Sequence, residues 1–260
     1  MPPFTGVALR FALAGGLLLG LALARGVPLG RSRREVVLWL ANGTLAFSIS
    51  YGIVYWAEQW VPSGLAAVLF ATYPLFVAIL GHFALPAEAM RRPELVGIAI
   101  GFAGVATIFA EDFSALGGAA VARAAGVMLL APLASAAGSV AVKRWGHGIH
   151  PLSITAAPML LCAAVMGGVA LATERQRPLS WDAASVAALL YLAIIGSAVT
   201  FTLYYWLLLH LPAKRLALIS YVIPVVAIAI GALRGEPLPP LALLGSALVV
   251  VGVALAVQRR

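Results

Sequence analysis

Tyr55-Trp56, Pro62, Ala67, Pro74 and Gly81 stand in one register, and the chain carries that register twice. The second copy reads Tyr205-Trp206, Pro212, Ala217, Pro224 and Gly231 at the same spacing. Beyond the glycine the match continues two residues earlier: Glu88 returns as Glu236, Gly97 as Gly245, and Gly104-Val105-Ala106 as Gly252-Val253-Ala254. One small indel in the loop after the Gly81-type glycine accounts for the shift. So many matches in one register, prolines and glycines included, make the stretch from Tyr51 to Ala106 part of an internal repeat. A repeat of this kind sets the architecture.

Composition places the repeat in lipid. Of 260 residues, 63% are hydrophobic and only 10% charged, more apolar surface than a soluble domain of this length can hide. Apolar runs fall at 4–24, 35–57, 63–84, 93–110, 120–144, 151–173, 183–209, 213–233 and 239–257. Most are long enough to cross a bilayer core as helices. They are continuous rather than alternating, which excludes a transmembrane β-barrel. The expected fold is an all-α polytopic membrane protein with nine spans. No basic region precedes the first run and Arg10 lies inside it, so it reads as a span and not as a signal peptide. Cys162 is the single cysteine, so no intramolecular disulfide can form.

Charge orients the spans. Twelve of the 17 basic residues fall on one set of alternate loops and the tail: Arg25, Arg31, Arg33, Arg34, Arg91, Arg92, Lys143, Arg144, Lys214, Arg215, Arg259 and Arg260. The opposite loops hold Arg123, Arg175, Arg177 and Arg234. Positive loops favour the cytoplasm, so the C-terminus is expected inside a cell inner membrane. The formal charge of +8 follows from this asymmetry and from lipid headgroups. Nucleic acid is not an expected partner, because no soluble basic face exists.

Span 35–57 matches span 183–209, and the charge count points them in opposite directions. The repeats, 1–112 and 113–260, are therefore inverted, a plan that recurs in secondary transporters with a solute site near the midplane between the halves. The second copy has five spans and the first has four. Pro3 aligns with Pro151, so the partner of span 120–144 would precede Met1. Either a first helix is missing from this sequence or the protein is a nine-span variant; the plan expected is ten helices, nine of them in this sequence.

A Pro-x5-Leu-Arg-Phe entry (Pro3 to Phe11) opens the first copy, and Tyr73-Pro74 and Ile223-Pro224 lie in mid-helix. A Gly-Glu-x-Leu turn (Gly235 to Leu238) leads into a helix carrying Gly-x6-Gly. With these motifs the whole chain resembles the EamA family of the drug/metabolite transporter superfamily. The first-repeat turn departs from the pattern, reading Pro86-Ala87-Glu88. The resemblance implies a ten-helix fold and export of small metabolites, often amino acids. The aromatic content of the central helices is similar to that of the aromatic amino-acid exporter branch.

The residues offer a cavity lining. Tyr51 and Tyr55 lie four apart on one helical face, with Ser48 near it. Their repeat partners are Phe201 and Tyr205, and Thr200 answers Ser50. Rings with a hydroxyl tip suit an amphipathic solute, although Tyr55, Trp56, Trp60, Tyr205 and Trp206 also fit an interfacial aromatic belt. Tyr73 and Tyr221, beside Phe70 and Ser220, lie near mid-span, where a hydroxyl must face protein or water. Pro74 and Pro224 remove a mid-helix hydrogen bond and are candidate hinges or static bends. Arg10, the one basic residue well inside a span, is a functional candidate by default; snorkelling or pairing, with Glu58 as candidate partner, is expected ahead of substrate contact.

No catalytic constellation is present. The histidines, His82, His147, His150 and His210, fall at or near helix ends, and no phosphate-cradling loop or Ser/His/Asp set occurs. Neither cofactor nor metal is expected. The function expected is a secondary transporter exporting a small solute by alternating access. Two alternatives remain open: a sugar-phosphate or nucleotide-sugar exchanger using Lys214-Arg215, and a membrane scaffold or intramembrane enzyme. The acidic residues all fall in loops or at helix ends.

Overall fold

A computed structural model describes residues 1–111, 118–179, 181–233 and 239–257. Among these residues there are nine long helical segments and no strand. They are α1 (Pro3–Ala24), α2 (Arg33–Ala57), α3 (Ser63–Ala84), α4 (Arg92–Ile108), α5 (Ala119–Trp145), α6 (Pro151–Thr173), α7 (Ala183–His210), α8 (Ala213–Ala217 continuing as Ile219–Leu233) and α9 (Pro240–Val257). Eight are long and apolar enough to cross a bilayer; α4, with 17 residues, falls just short by length. The expected spans therefore stand, with ends moved by a few residues. The protein is an all-α polytopic membrane protein. Large apolar side chains such as Leu23, Phe83 and Leu233 point outward, as they do where the solvent is hydrocarbon. The turn at Gly235 to Leu238, Asp112 and the tail arginines Arg259 and Arg260 lie outside the described residues.

Helix ends are closed by buried carboxylates. Glu174 accepts from the backbone N–H of Phe4 and Thr5, at 3.1 and 2.8 Å, and from the Thr5 hydroxyl at 2.8 Å, capping α1. Ser32 Oγ accepts from Glu35 N–H at 3.1 Å to start α2, while the Glu35 carboxylate accepts from Arg31 N–H at 3.0 Å and from the Ser153 hydroxyl. Glu94 accepts from Arg91 N–H at 3.0 Å and pairs with Lys214 at 2.6 Å. Each of these groups satisfies amides that a helix start leaves without an internal partner.

Prolines place the breaks. Pro74 has no N–H for the Phe70 carbonyl, and α3 is interrupted at Ala71-Thr72. Pro132 does the same to Met128, and α5 breaks at Leu129. Pro224 lies inside α8, six residues after the break at Leu218. Helix α6 runs through Pro158 without a break.

The chain forms two compact units. Unit one holds residues 1–56 and 137–210; unit two holds 57–136 and 211–260. Each unit draws on both copies of the sequence repeat. In unit one α1 packs along α6: Gly15 lets α1 approach, since a Cβ there would lie 2.8 Å from Leu160 and 3.2 Å from the Ala156 carbonyl. In unit two α4 packs along α9. A Cβ on Gly97 would meet the Gly252 carbonyl at 2.6 Å, and one on Gly104 would meet the Gly245 carbonyl at 2.7 Å. Small residues let backbones touch, which is how helices associate where lipid removes the hydrophobic drive. Gly16 and Gly20, four apart on α1, meet nothing within 4 Å.

Candidate functional site

Helices α2 and α7 each open into a wider π-helical turn in mid-span, at Gly43–Ile49 and Ile194–Val199. The two segments occupy the same place in the sequence repeat. Such turns cluster at functional sites because they re-aim side chains and loosen the backbone ladder. Hydroxyls take up the loosened carbonyls: Ser48 donates to Gly43 at 2.8 Å, Ser197 to Leu192 at 2.9 Å and Thr200 to Ile195 at 2.7 Å. Ser48 and Thr200, both expected to line a cavity, are thus turned to their own helices, and Thr200 is exposed.

Around the first π-turn unit one gathers a cluster of rings. Phe47 lies 5.4 Å from Phe11, 4.9 Å from Phe201 and 6.2 Å from Tyr205, centroid to centroid. Tyr51 meets Phe11 edge-on at 4.8 Å and Phe201 at 6.1 Å, and Tyr55 follows at 6.4 Å. Edge-on and offset pairs of this kind are the favoured ring geometries. Phe11, Phe47 and Tyr205 are fully buried, whereas Tyr51, Tyr55 and Phe201 keep an open side. The structure therefore brings the candidates Tyr51, Tyr55 and Phe201 together, with Phe11 and Phe47 beside them.

Arg10 stands against this cluster. Its guanidinium carbon is 5.5 Å from the centres of both the Phe11 and Tyr51 rings, within cation–π range. Nε donates to Ser197 Oγ at 2.7 Å, Nη2 to the Gly196 carbonyl at 3.1 Å and Nη1 to Tyr55 Oη at 3.3 Å. Neutral acceptors and ring faces thus replace the Glu58 carboxylate expected from the sequence. Glu58 itself is exposed in the turn after α2, where partial burial still raises its carboxyl above the usual value. A cleft of about 220 Å³ opens beside Arg10 and Tyr55, walled by Gly6, Leu189 and Leu192.

A second polar group lies deeper in unit one. Pro158 cannot donate to the Ile154 carbonyl, and Asn42 Nδ2 approaches that carbonyl at 3.4 Å. Asn42 Oδ1 accepts from the Tyr205 hydroxyl at 3.0 Å. Gly43 makes room for the proline, since a Cβ there would sit 3.1 Å from Pro158 Cα. Asn42 and Ser197 are fully buried and were not among the sequence candidates; a lone Asn in an apolar run was the available signal for the first.

In unit two Phe70 stacks on Tyr73 at 6.0 Å. Tyr221 is fully buried in an apolar core with Val68, Ile98 and Val249, its ring against Gly101. Its hydroxyl has no hydrogen-bond partner among the described residues. That is the placement of a packing residue, in contrast to the cavity lining expected. Ser220 donates to its own helix at Ala217, 3.0 Å. A recess of about 490 Å³ is bordered by Arg91, Lys214, Arg215, Glu88 and Glu94. There Lys214 is engaged by Glu94, and Glu88 accepts from Ala213 N–H at 2.7 Å. The loop histidine His150 uses Nδ1 to accept from Leu152 N–H at 3.1 Å and so caps α6.

Residues 1–110 and 122–258 match the EamA-like transporter family. The chain belongs to this family. It is 34% identical over 98% of its length to the uncharacterized inner membrane transporter YedA of Escherichia coli K12, covering 81% of that protein. The probable amino-acid metabolite efflux pump of Salmonella typhimurium LT2 is 27% identical over 97% of this EamA chain and 84% of its own. The probable terminal-alkyne amino-acid exporter of Streptantibioticus cattleyicolor is 28% identical, over 93% and 80%. A protein of known crystal structure superposes with a TM-score of 0.84 at 22% identity, over 99% of this chain and 88% of that one, and shows the same fold. The EamA family is one of transporters, so the chain handles small solutes at a membrane.

Proposed function

We propose that this EamA protein is a secondary transporter in the cell inner membrane, with its C-terminus in the cytoplasm. It exports small amphipathic metabolites, amino acids foremost and aromatic ones among them, by alternating access. The observation that carries the reading is the half-open ring cluster of Tyr51, Tyr55 and Phe201 around Arg10, built where both π-turns occur. Half-open tyrosines offer an apolar face and a hydroxyl to one solute. Relatives named as an amino-acid exporter and an amino-acid metabolite efflux pump support the solute class. Pro74, just after the break in α3, and Pro224, inside α8, serve as hinges. The sugar-phosphate alternative would use Lys214 and Arg215, and of these Lys214 is already paired with Glu94.

The test is counterflow in proteoliposomes with a panel of labelled amino acids. Accelerated exchange of L-phenylalanine or L-tyrosine over protein-free vesicles is expected. No exchange of any amino acid, with sugar phosphates exchanged instead, would overturn the reading.

A further inference from the structure

Among the described residues, Arg10 is a cation whose hydrogen-bond partners are all neutral. It is the eighth residue of α1, so it stands about 12 Å along the helix axis. It is only 8% exposed. An arginine inside a span is costly and is offset by a partner, another charged group or a backbone carbonyl. Here the partners are one serine, one tyrosine and one carbonyl. The buried carboxylates Glu35, Glu94 and Glu174 are occupied at helix ends, as shown above.

A guanidinium carries five N–H donors in a fixed fork. Three contacts are made, and the one to Tyr55 is long, at 3.3 Å. Donors therefore remain for a ligand. The planar face is taken by Phe11 and Tyr51, so the group cannot swing away. The cleft beside it has a head-and-tail chemistry: Arg10 and Tyr55 offer donors, and Gly6, Leu189 and Leu192 offer apolar wall. Ser185 also borders it, but its hydroxyl donates to Asp182 at 2.7 Å. At about 220 Å³ the space is below the range that takes drug-sized ligands, and it suits a small metabolite.

We infer that Arg10 and Tyr55 form an oxyanion subsite that takes the carboxylate of a small acid or amino acid, with the apolar tail on Leu189 and Leu192. Planar two-point recognition of carboxylate is what the arginine fork supplies and a lysine does not. Ser197 is a positioning residue: its 2.7 Å bond to Nε fixes the plane of the fork. Two sources of the oxyanion share this chemistry, a solute carboxylate and a lipid phosphate, and the assignment is to the solute. The transport role of the subsite rests on the function proposed above.

The experiment is a binding titration of the full chain in dodecyl maltoside, with 3-phenylpropionate, L-phenylalanine and phenethylamine as probes and phosphatidylglycerol as competitor. The carboxylates bind and phenethylamine, which lacks one, does not. Arg10→Lys weakens carboxylate binding at least about tenfold, the loss of charge-assisted hydrogen bonds. Ser197→Ala weakens it severalfold and supplies a second measurement if Arg10 variants misfold. Equal binding of phenethylamine and phenylpropionate would overturn the subsite, as would wild-type affinity in folded Arg10→Lys. Displacement by phosphatidylglycerol alone would assign the site to lipid and also overturn it. Failure of the transport reading is separate: carboxylate binding that depends on Arg10, without amino-acid counterflow, removes that reading and leaves the subsite. Counterflow with an unchanged KM in Arg10→Lys does the reverse.

Discussion

The two units solve the same problem of packing helices in lipid by different means. Unit two uses absence: Gly97, Gly104, Gly245 and Gly252 remove side chains so that α4 and α9 touch through their backbones. Unit one uses content: Phe11, Phe47 and Tyr205 fill the space, and Arg10, Asn42 and Ser197 bring polar groups into it. The tyrosines make the contrast plain. Tyr205 in unit one donates to Asn42, whereas the Tyr221 hydroxyl in unit two has no described partner. A backbone-to-backbone contact has two positions, packed or apart. A cluster of rings and hydroxyls can exchange partners with a solute. On the function proposed above, the difference gives a rigid role to the α4–α9 contact and the ligand chemistry to unit one.

The largest effect should come from filling the glycine contact. Gly97→Val places a branched side chain where even a Cβ would lie 2.6 Å from the Gly252 carbonyl. Backbone cannot yield as a flexible side chain can, so a loss of about 3 kcal/mol, the upper end for overpacking, is expected. Gly16→Val and Gly20→Val, whose surroundings are empty to 4 Å, should leave the protein unchanged. Thermal unfolding monitored by size-exclusion chromatography in detergent reads all three. Equal losses at Gly97 and Gly16 would remove the distinction between a structural glycine face and an idle one.

Next comes the polar group of unit one. Asn42→Ala orphans the Ile154 carbonyl and the Tyr205 hydroxyl together. Buried unpaired groups cost about 1–3 kcal/mol each in water-soluble proteins, but bonds within membranes average about 0.6 kcal/mol, so about 1–2 kcal/mol is expected in total. Tyr205→Phe removes the donor and should cost less than Asn42→Ala. A double variant no worse than Asn42→Ala alone would show the two acting as one unit.

Much of this was legible beforehand. Continuous apolar runs located the spans, because helix length in a bilayer is fixed by hydrocarbon thickness; the run expected at 63–84 is the segment Ser63–Ala84. The break of α3 ahead of Pro74 was legible because a missing N–H acts locally. What a sequence cannot display is choice of partner across the fold. Arg10 finds Ser197, 187 positions away, and nothing local to either residue distinguishes that from a pairing with Glu58. The π-turns were hidden for a related reason: Gly43–Ile49 reads as ordinary helix, and its opening is apparent only once Ser48 is seen on the Gly43 carbonyl. Tyr221 was misplaced because a tyrosine at mid-span looks the same whether its ring faces a cavity or a glycine.

A smaller effect is expected in transport. Tyr51→Ala deletes ring contacts with Phe11 and Phe201 and one face of the Arg10 clamp. Ring pairs contribute about 0.5–1.5 kcal/mol beyond burial, so counterflow efficiency should fall about fivefold in protein that still folds. Tyr73→Ala, in unit two, removes the stacked contact with Phe70, away from the Arg10 cluster, and should lower efficiency less. A larger loss at Tyr73 than at Tyr51 would move the ligand chemistry to the other unit.

The smallest expected effect is the response of solute flux to a pH gradient, and it should be nil. A proton-driven cycle needs a carboxyl or imidazole within the membrane whose charge alters a conformational step. The buried carboxylates of the described residues are all committed at helix ends: Glu174 to the first turn of α1, Glu35 to the start of α2, and Glu94 to Arg91 N–H and Lys214. Protonating one of these would loosen a cap without passing a charge through mid-span. Glu58 remains as an acid poised upward by partial burial, but it lies in a turn. The cycle expected from this is facilitated diffusion or exchange, with direction set by the solute gradient. Counterflow of L-phenylalanine should run at one rate with the vesicle interior at equal or higher pH than the bath, in wild type and in Glu58→Gln alike. Uphill accumulation that follows the imposed gradient and persists in Glu58→Gln would defeat this mechanism, and would direct the search for a coupling group to residues beyond those described.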